Sequence, residues 1–296
     1  PRIPAPPHAV SELRAPQPAT LSYTALSELE RCAYRYYLER VLGLREDRAA
    51  ARTPGEGAGL EARARGTLAH KLLESIDFAS PPAPTSEDVA RVARELGMRV
   101  GRDEREDLAA LIAAALSTPL AERVGAAASV NREHPFAFSL APHEPLIAGV
   151  VDLLAREADG GVLVLDYKSD RVGPDVDLGA LVERDYSIQR LLYALAVLRD
   201  GAASVEVVHW FLQRPHEPVA AAYAASDRST LERRLAERLA QARERMRTFS
   251  VSPEPHRGLC LTCPGRGGLC SWGEMETMRE DPLADLAIGA QLPLTP

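Results

Sequence analysis

From Leu21 the apolar positions recur at helical spacing. Leu26, Leu29, Tyr36, Tyr37, Val41 and Leu42 form one stripe, Ser22 stands where an N-cap belongs, and Gly43 closes the run. A polar, glycine-containing loop follows over 45–60. Ala62 to Phe78 reads as a second helix carrying GTLAHKLLE, and the PPAP run at 81–84 breaks the chain because proline lacks an amide proton and clashes with a preceding helical turn. Residues 86–125 hold two or three helices rich in Ala, Leu, Arg and Glu. The rhythm then changes. Glu133 to Leu140 alternates loosely, and Leu146–Arg156 and Val162–Tyr167 are short, apolar and β-branched. Asp-Gly-Gly at 159–161 between them predicts a hairpin. Ser187–Leu198 is helical, Val205–Leu212 and Val219–Tyr223 read as strands, and Ser229–Phe249 as a long amphipathic helix. No fixed-period repeat occurs. This order predicts an α/β fold with a mixed central sheet flanked by helices and a helical accessory region at 85–125. Residues 21–274 form one domain in this reading, with 1–20 as a Pro/Ala-rich linker or tail and 275–296 as a C-terminal tail.

Composition narrows the picture. At 296 residues, with 46% apolar and 26% charged positions, the chain has the make-up of one well-buried globular domain. It contains no apolar run of about 18 residues, so no membrane span is expected. It opens PRIPAPPHAV, without Met and without a basic-then-apolar leader, the pattern expected of a fragment excised from a longer polypeptide with no secretory signal. The net charge of −7 counts against an extended basic groove for nucleic acid. It does not exclude one, because acids gathered at a metal site lower the total while arginines can still line one face. Glu232-Arg233-Arg234 and Arg243-Glu244-Arg245 mix both signs and read as solvated helix faces.

The stretch VLVLDYKSD, Val162 to Asp170, carries the candidate chemistry. Of 35 cationic residues only Lys71 and Lys168 are lysines, and Lys168 directly follows an apolar strand that ends in an acid. Asp152 and Asp166 both interrupt apolar strands, where a carboxylate is costly unless paired or metal-bound. Strand alternation points Asp166 and Lys168 to one side, while the Tyr167 carbonyl can still face the same region. Carboxylate and carbonyl oxygens are hard ligands suited to Mg²⁺ or Mn²⁺. Such an ion polarises a phosphate and activates water, and a lysine can orient that water and offset charge on phosphorus. Lysine, unlike arginine, can also lose its proton when its site depresses its pKa. A structural ion pair at a strand end is the competing reading of the triplet taken alone. His70 shares a helix face with Gly66, and Gln189 shares one with Tyr193. Singly, each fits an ordinary core or surface position.

Taken in order, G-x-x-x-H-x-x-x-E (Gly66, His70, Glu74), G-x-x-D (Gly149, Asp152), D-Y-K (Asp166, Tyr167, Lys168) and Q-x-x-x-Y (Gln189, Tyr193) resemble the PD-(D/E)xK nucleases of the RecB type. Glu133-His134-Pro135-Phe136 resembles the E-x-P-F strand that precedes the first acid there. The resemblance runs from about Leu21 to Trp272. The proline of the family name is absent, as is usual in that branch. The resemblance implies a restriction-endonuclease-like fold and a DNase dependent on Mg²⁺ or Mn²⁺, exonuclease rather than endonuclease. It implies metal ligation by His70, Asp152, Asp166 and the Tyr167 carbonyl, with Asp152, Asp166, Lys168 and Gln189 as the catalytic set. Lys168 would serve the nucleophilic water, Gln189 would position Lys168 or the DNA backbone, and Tyr193 and Glu74 would support. The partners implied are single-stranded DNA or duplex ends and a helicase motor, in the same polypeptide or a separate partner, in the nucleoid of a bacterial cytoplasm. No G-x-x-x-x-G-K-[ST] loop occurs in this chain, so a motor would lie upstream or in a partner.

Four cysteines remain: Cys32, then Cys260-x2-Cys263-x6-Cys270. Four thiolates can hold zinc or an iron–sulfur cluster, or stay buried and unligated. The layout of one cysteine before the nuclease core and three after it resembles AddB-type helicase–nucleases and implies a [4Fe–4S] cluster, with Zn²⁺ the alternative. Residues 21–45 and 256–274 would be its two supports, although Ala33 stands where that family often has proline. Arg31, Tyr34, Arg35, Tyr36 and Tyr37 surround Cys32 and either clamp single-stranded DNA or pack the core. Two other readings stay open: a catalytically silent DNA-binding scaffold with the same fold, and a stand-alone nuclease of the CRISPR spacer-acquisition kind.

Overall fold

The computed structural model describes residues 20–46, 62–142, 144–169, 171–247, 253, 260, 262–265 and 268–272. Most of the expected N-terminal tail, most of the 45–60 loop, the end of the last helix and the C-terminal tail lie outside these residues. Ser22 caps the first helix, its hydroxyl accepting from the Ala25 amide at 3.1 Å, and α1 (Tyr23–Arg31) follows. The helix does not run on to Leu42. Cys32 has extended backbone (φ −153°, ψ 96°), ends α1, and caps α2 (Ala33–Tyr36) through its sulfur. A π-helical turn, Tyr37–Val41, completes the segment, and Gly43 at φ +71° ends it. The apolar stripe survives the break because Leu26, Leu29, Ala33 and Tyr36 all face one core. Periodicity reports the buried face, not whether the helix axis is continuous.

The second helix, α3 (Ala62–Glu74), ends before Phe78, in tight turns where Ser75 and Ile76 bond back to Leu72 and Leu73. Ile76 and Phe78 are still buried, which explains why the pattern ran past the helix. The accessory region resolves into α4 (Ser86–Glu95), α5 (Arg102–Leu116) and α6 (Pro119–Gly125). Thr85 and Thr118 cap α4 and α6. Buried Arg65 on α3 binds Glu104 and Asp107 of α5, tying the His70 helix to this layer. No single helix among the described residues is long and apolar enough to cross a membrane.

Among the described residues the sheet has six strands: β1 (Thr20–Ser22), β2 (Ser129–Phe138), β3 (Leu146–Arg156), β4 (Val162–Lys168), β5 (Ser204–Phe211) and β6 (Val219–Ala224). Their order is β1-β3-β4-β5-β6, with β2 along the other edge of β3. The β3–β4 hairpin forms as expected, with Gly160 at φ +89° in its turn. Between β4 and β5 lie α7 (Leu178–Asp185), which the pattern did not predict, and α8 (Ser187–Arg199). The chain continues from β6 into α9 (Arg228–Arg247). Leu26, Leu192 and Leu235 bring α1, α8 and α9 into the core on one sheet face, and Leu68, Val89, Leu108 and Val124 bring α3 to α6 into the core on the other.

Two features of β3 create the site. First, β2 takes one edge, so β1 (at Leu146–Ala148) and β4 (at Leu153–Arg156) share the other. β4 runs on to Lys168 paired only with β5, so residues 149–152 and 166–168 diverge as a fork. Second, the β2–β3 ribbon changes faces. Leu153 packs under α3–α6, while Val151 and Ile147, of the same parity, pack under α1, α8 and α9. A strand of period two needs an irregular residue to do this. That residue is Glu133, at φ +47° the one non-glycine residue with positive φ among those described. It lies opposite Asp152, where the ladder skips from Arg132↔Leu153 to His134↔Val151.

Candidate active site

Two groups of side chains meet at the fork. On one side stand His70, Glu133 and Asp152, whose donor atoms all lie within 4.8 Å of one another. His70 reaches β4 from α3: its Nε2 lies 3.0 Å from the Tyr167 carbonyl oxygen and its Nδ1 3.4 Å from Asp152 Oδ1. Asp152 also accepts from the Tyr167 amide at 2.8 Å. One residue of β4 thus meets His70 and Asp152 through its backbone while its ring goes into the core. There the ring stands edge-on to His70 and tilted on Trp210. Burial would push the His70 imidazole down, but the hydrogen bond and charge of Asp152, with the charge of Asp166, outweigh it and raise its pKa. Glu133 is also raised, by burial and by the charges of Asp152 and Glu74.

On the other side, buried Asp166 is held through both oxygens. Gln189 Nε2 donates to Oδ1 at 2.7 Å, and Lys168 Nζ pairs with Oδ2 at 2.6 Å. Gln189 Oε1 accepts from Lys168 at 2.9 Å, so one amide spans acid and ammonium. Tyr193, one helical turn on, accepts from Gln189 and donates to the Val150 carbonyl at 3.0 Å, tying α8 to the free edge of β3. The Tyr186 ring lies under the ammonium, its centroid 3.8 Å from Nζ.

Two glycines permit this closeness. A Cβ on Gly66 would come within 3.1 Å of Ser169 Oγ, and one on Gly149 within 2.7 Å of Phe136 Cζ. The first lets α3 approach the end of β4. The second makes room for the Phe136 ring, which stands edge-on to Tyr193.

The structure therefore brings together His70, Asp152 and the Tyr167 carbonyl, and next to them Asp166, Lys168, Gln189 and Tyr193. The oxygens of Asp166 are engaged by Lys168 and Gln189 rather than turned to His70, and Glu133 is the second carboxylate in the His70 cluster. In the sequence Glu133 stands out only within the E-x-P-F stretch, and Tyr186 belongs to none of the motifs. Glu74 pairs with Lys71 at 2.7 Å and is not one of the three donors of the His70 cluster. Arg35 is buried and bound by Glu39 and Glu46. Arg31 donates to the Asp185 carbonyl at 2.7 Å and joins α1 to α7.

The cysteines lie at a second locus, where the segment around Cys32 meets residues 260–270. None of the four forms a disulfide among the described residues. Tyr34 donates to the Leu269 carbonyl, Thr262 to Glu46, and the Arg35 and Gly265 amides to the sulfurs of Cys32 and Cys263. Burial raises the Cys263 thiol, opposed by the Gly265 amide and Arg35 and reinforced by Cys32 and Cys260. The Tyr34 phenol is raised by burial and by Cys270, Cys263 and Cys32. Cys263 thus lies near Cys32 and Cys260, and Tyr34 near Cys32, Cys263 and Cys270.

A forked sheet lined by carboxylates, with a lysine held at its mouth, suits hydrolysis of a phosphate ester. The family model of the PD-(D/E)XK nuclease superfamily matches residues 20–268, and this chain belongs to that superfamily. Among curated relatives, an ATP-dependent helicase/nuclease subunit of Acetivibrio thermocellus is 32% identical over 159 residues, 48% of this chain and 12% of its own length. An ATP-dependent helicase/deoxyribonuclease subunit of Streptococcus equi subsp. zooepidemicus is 29% identical over 218 residues, 70% of this chain and 19% of its own. The chain thus spans less than a fifth of the length of these relatives. A solved structure from Eubacterium rectale covers 92% of this chain and 94% of its own at a TM-score of 0.46 and 12% identity.

Proposed function

We propose that this domain is a divalent-metal-dependent deoxyribonuclease, the nuclease part of a helicase–nuclease that processes DNA ends in a bacterial cytoplasm. The observation that carries the reading is the pairing of an imidazole–carboxylate cluster at His70, Glu133 and Asp152 with the Asp166–Lys168–Gln189 relay in one fork. The helicase–nuclease context rests on the relatives' names. An exonuclease acting on single strands or duplex ends is the form we favour.

The donor set fits Mg²⁺ or Mn²⁺: carboxylate oxygens and one imidazole, with the Tyr167 carbonyl within reach of His70. In our assignment His70, Glu133, Asp152 and the Tyr167 carbonyl would hold the ion, with Asp166 beside them in contact with Lys168. The bound ion supplies Lewis acidity to the phosphate and acidifies water. Lys168 orients the attacking water and offsets the charge that develops on the phosphoryl oxygens. Gln189 holds Lys168 at its working distance from Asp166, and Tyr193 fixes Gln189. The test is degradation of end-labelled single- and double-stranded DNA with Mg²⁺, Mn²⁺ or EDTA. Metal-dependent cleavage that Lys168→Ala removes from a folded protein supports the assignment; cleavage retained in the variant refutes it.

We further propose that Cys32, Cys260, Cys263 and Cys270 ligate a [4Fe–4S] cluster that fastens the segment near residue 32 to the one near residue 265. The nearness of Cys263 to Cys32 and Cys260, that of Tyr34 to Cys270, and the amide–sulfur bonds at Cys32 and Cys263 support this. Anaerobic purification should yield a protein with visible absorbance that Cys263→Ser lacks. A colourless wild type carrying zinc overturns the iron–sulfur assignment.

A further inference from the structure

The structure assigns Tyr186 as the residue that positions the Lys168 ammonium by offering it an aromatic face, a role that builds on the nuclease reading above. A lysine head group is a mobile point charge on a flexible stem. Asp166 and Gln189 constrain it from two directions, at 2.6 Å and 2.9 Å. The Tyr186 ring constrains it from a third, with its centroid 3.8 Å from Nζ, well inside the range of a cation–π contact.

Tyr186 is itself held in place. It is the joint between α7 and α8: its amide bonds to the Val182 carbonyl at 2.9 Å, and its own carbonyl accepts from the Arg190 amide at 3.0 Å. Its ring packs on His209 with centroids 5.6 Å apart and edge-on to Phe211 at 6.5 Å. His209 pairs in register with Asp166 on the neighbouring strand, is fully buried, and has neither ring nitrogen hydrogen-bonded. It therefore acts as an aromatic wall behind Tyr186.

The choice of an aromatic face has a chemical consequence. A second carboxylate at this place would hold the ammonium but cancel its charge. A π face holds it while leaving that charge available to a phosphate. Tyr186 touches neither metal donors nor substrate in this account; it acts through Lys168 as a positioning residue.

The two lysines of the chain make the contact directly observable. In protein labelled with ¹³C-lysine, the ε-methylene signal of Lys168, assigned by its loss in Lys168→Ala, should be displaced upfield by the ring current of Tyr186. It should return toward the Lys71 position in Tyr186→Leu. Both lysines resonating at the unperturbed position in the wild type overturns the proposal, whether or not the domain cleaves DNA. The kinetic arm uses Tyr186→Phe, Tyr186→Leu and mono-, di- and trifluorophenylalanine at position 186, with folding checked by circular dichroism. Phe should keep kcat within about twofold, and Leu should lose about tenfold or more in kcat with KM unchanged. The fluorinated rings, close to Phe in size, should lower kcat stepwise as their negative face is withdrawn. Wild-type cleavage with a flat fluorine series refutes Tyr186 alone. Wild type without any cleavage that Lys168→Ala removes refutes the nuclease assignment, and the lysine signal then decides the contact by itself.

Discussion

Glu133 and Asp152 face each other across β2 and β3 at the point where the ladder between those strands skips a pair. The same point is where the ribbon passes from one core to the other. Function and strain therefore coincide. A non-glycine residue in the left-handed region costs roughly 1–2 kcal/mol, and here it aims a carboxylate at Asp152 and His70.

Stability and metal use should accordingly separate at position 133. Glu133→Asn keeps a residue that tolerates positive φ and removes the charge. It should unfold at no lower denaturant concentration than wild type, yet need at least about tenfold more Mg²⁺ for half-maximal cleavage. Unchanged metal dependence would remove Glu133 from the ligand set.

His70 should make metal use pH-dependent. Its pKa is raised by Asp152, so its protonated form persists to higher pH than in a free histidine. That proton competes with a cation for the same nitrogen, so the half-saturating metal concentration should rise as pH falls through the raised value. Titrations of His70→Ala should show weaker metal use and a flatter pH dependence.

His209 should govern acid stability. Burial, aided by Lys168, lowers its pKa from 6.5 to about 4. The unfolded chain binds this proton below its ordinary pKa and the folded chain does not, so stability must fall as pH drops from 6.5 toward 4. A difference of that size is worth about 3 kcal/mol once pH is below both values. Urea unfolding across that range should show this loss in wild type and a shallower slope in His209→Phe.

Gly149→Ala tests the packing behind Tyr193. The added methyl would stand 2.7 Å from Phe136 Cζ, and that ring is wedged between Phe138 and Tyr193. A cost of about 1–3 kcal/mol in equilibrium unfolding is expected. A neutral result would show that the Phe136 ring has room to move.

Local pattern carried much of this protein. Helical and strand periodicity, the Asp-Gly-Gly turn and the capping residues are decided by neighbours a few positions apart, so α3 to α6, the β3–β4 hairpin, α8 and α9 could be read directly. The motif residues were legible for the same reason: an acid in an apolar strand and a lone lysine at a strand end are anomalies of local composition. Other features depend on which distant segments meet. Three-residue β1 exists only because β3 offers it an edge, and α7 is two turns long with its pattern submerged in a loop. The break at Cys32 leaves the apolar stripe unchanged, because both halves bury the same face. Glu133 enters the His70 cluster through a backbone flip that no side-chain periodicity encodes, and Tyr186 reaches Lys168 only after α7 and α8 have packed against β5. Sequence alone determined which chemical groups the chain carries and on which local elements. Tertiary packing decided which of them touch, because contacts across the fork join residues whose proximity is set by the packing of separate elements rather than by their spacing along the chain.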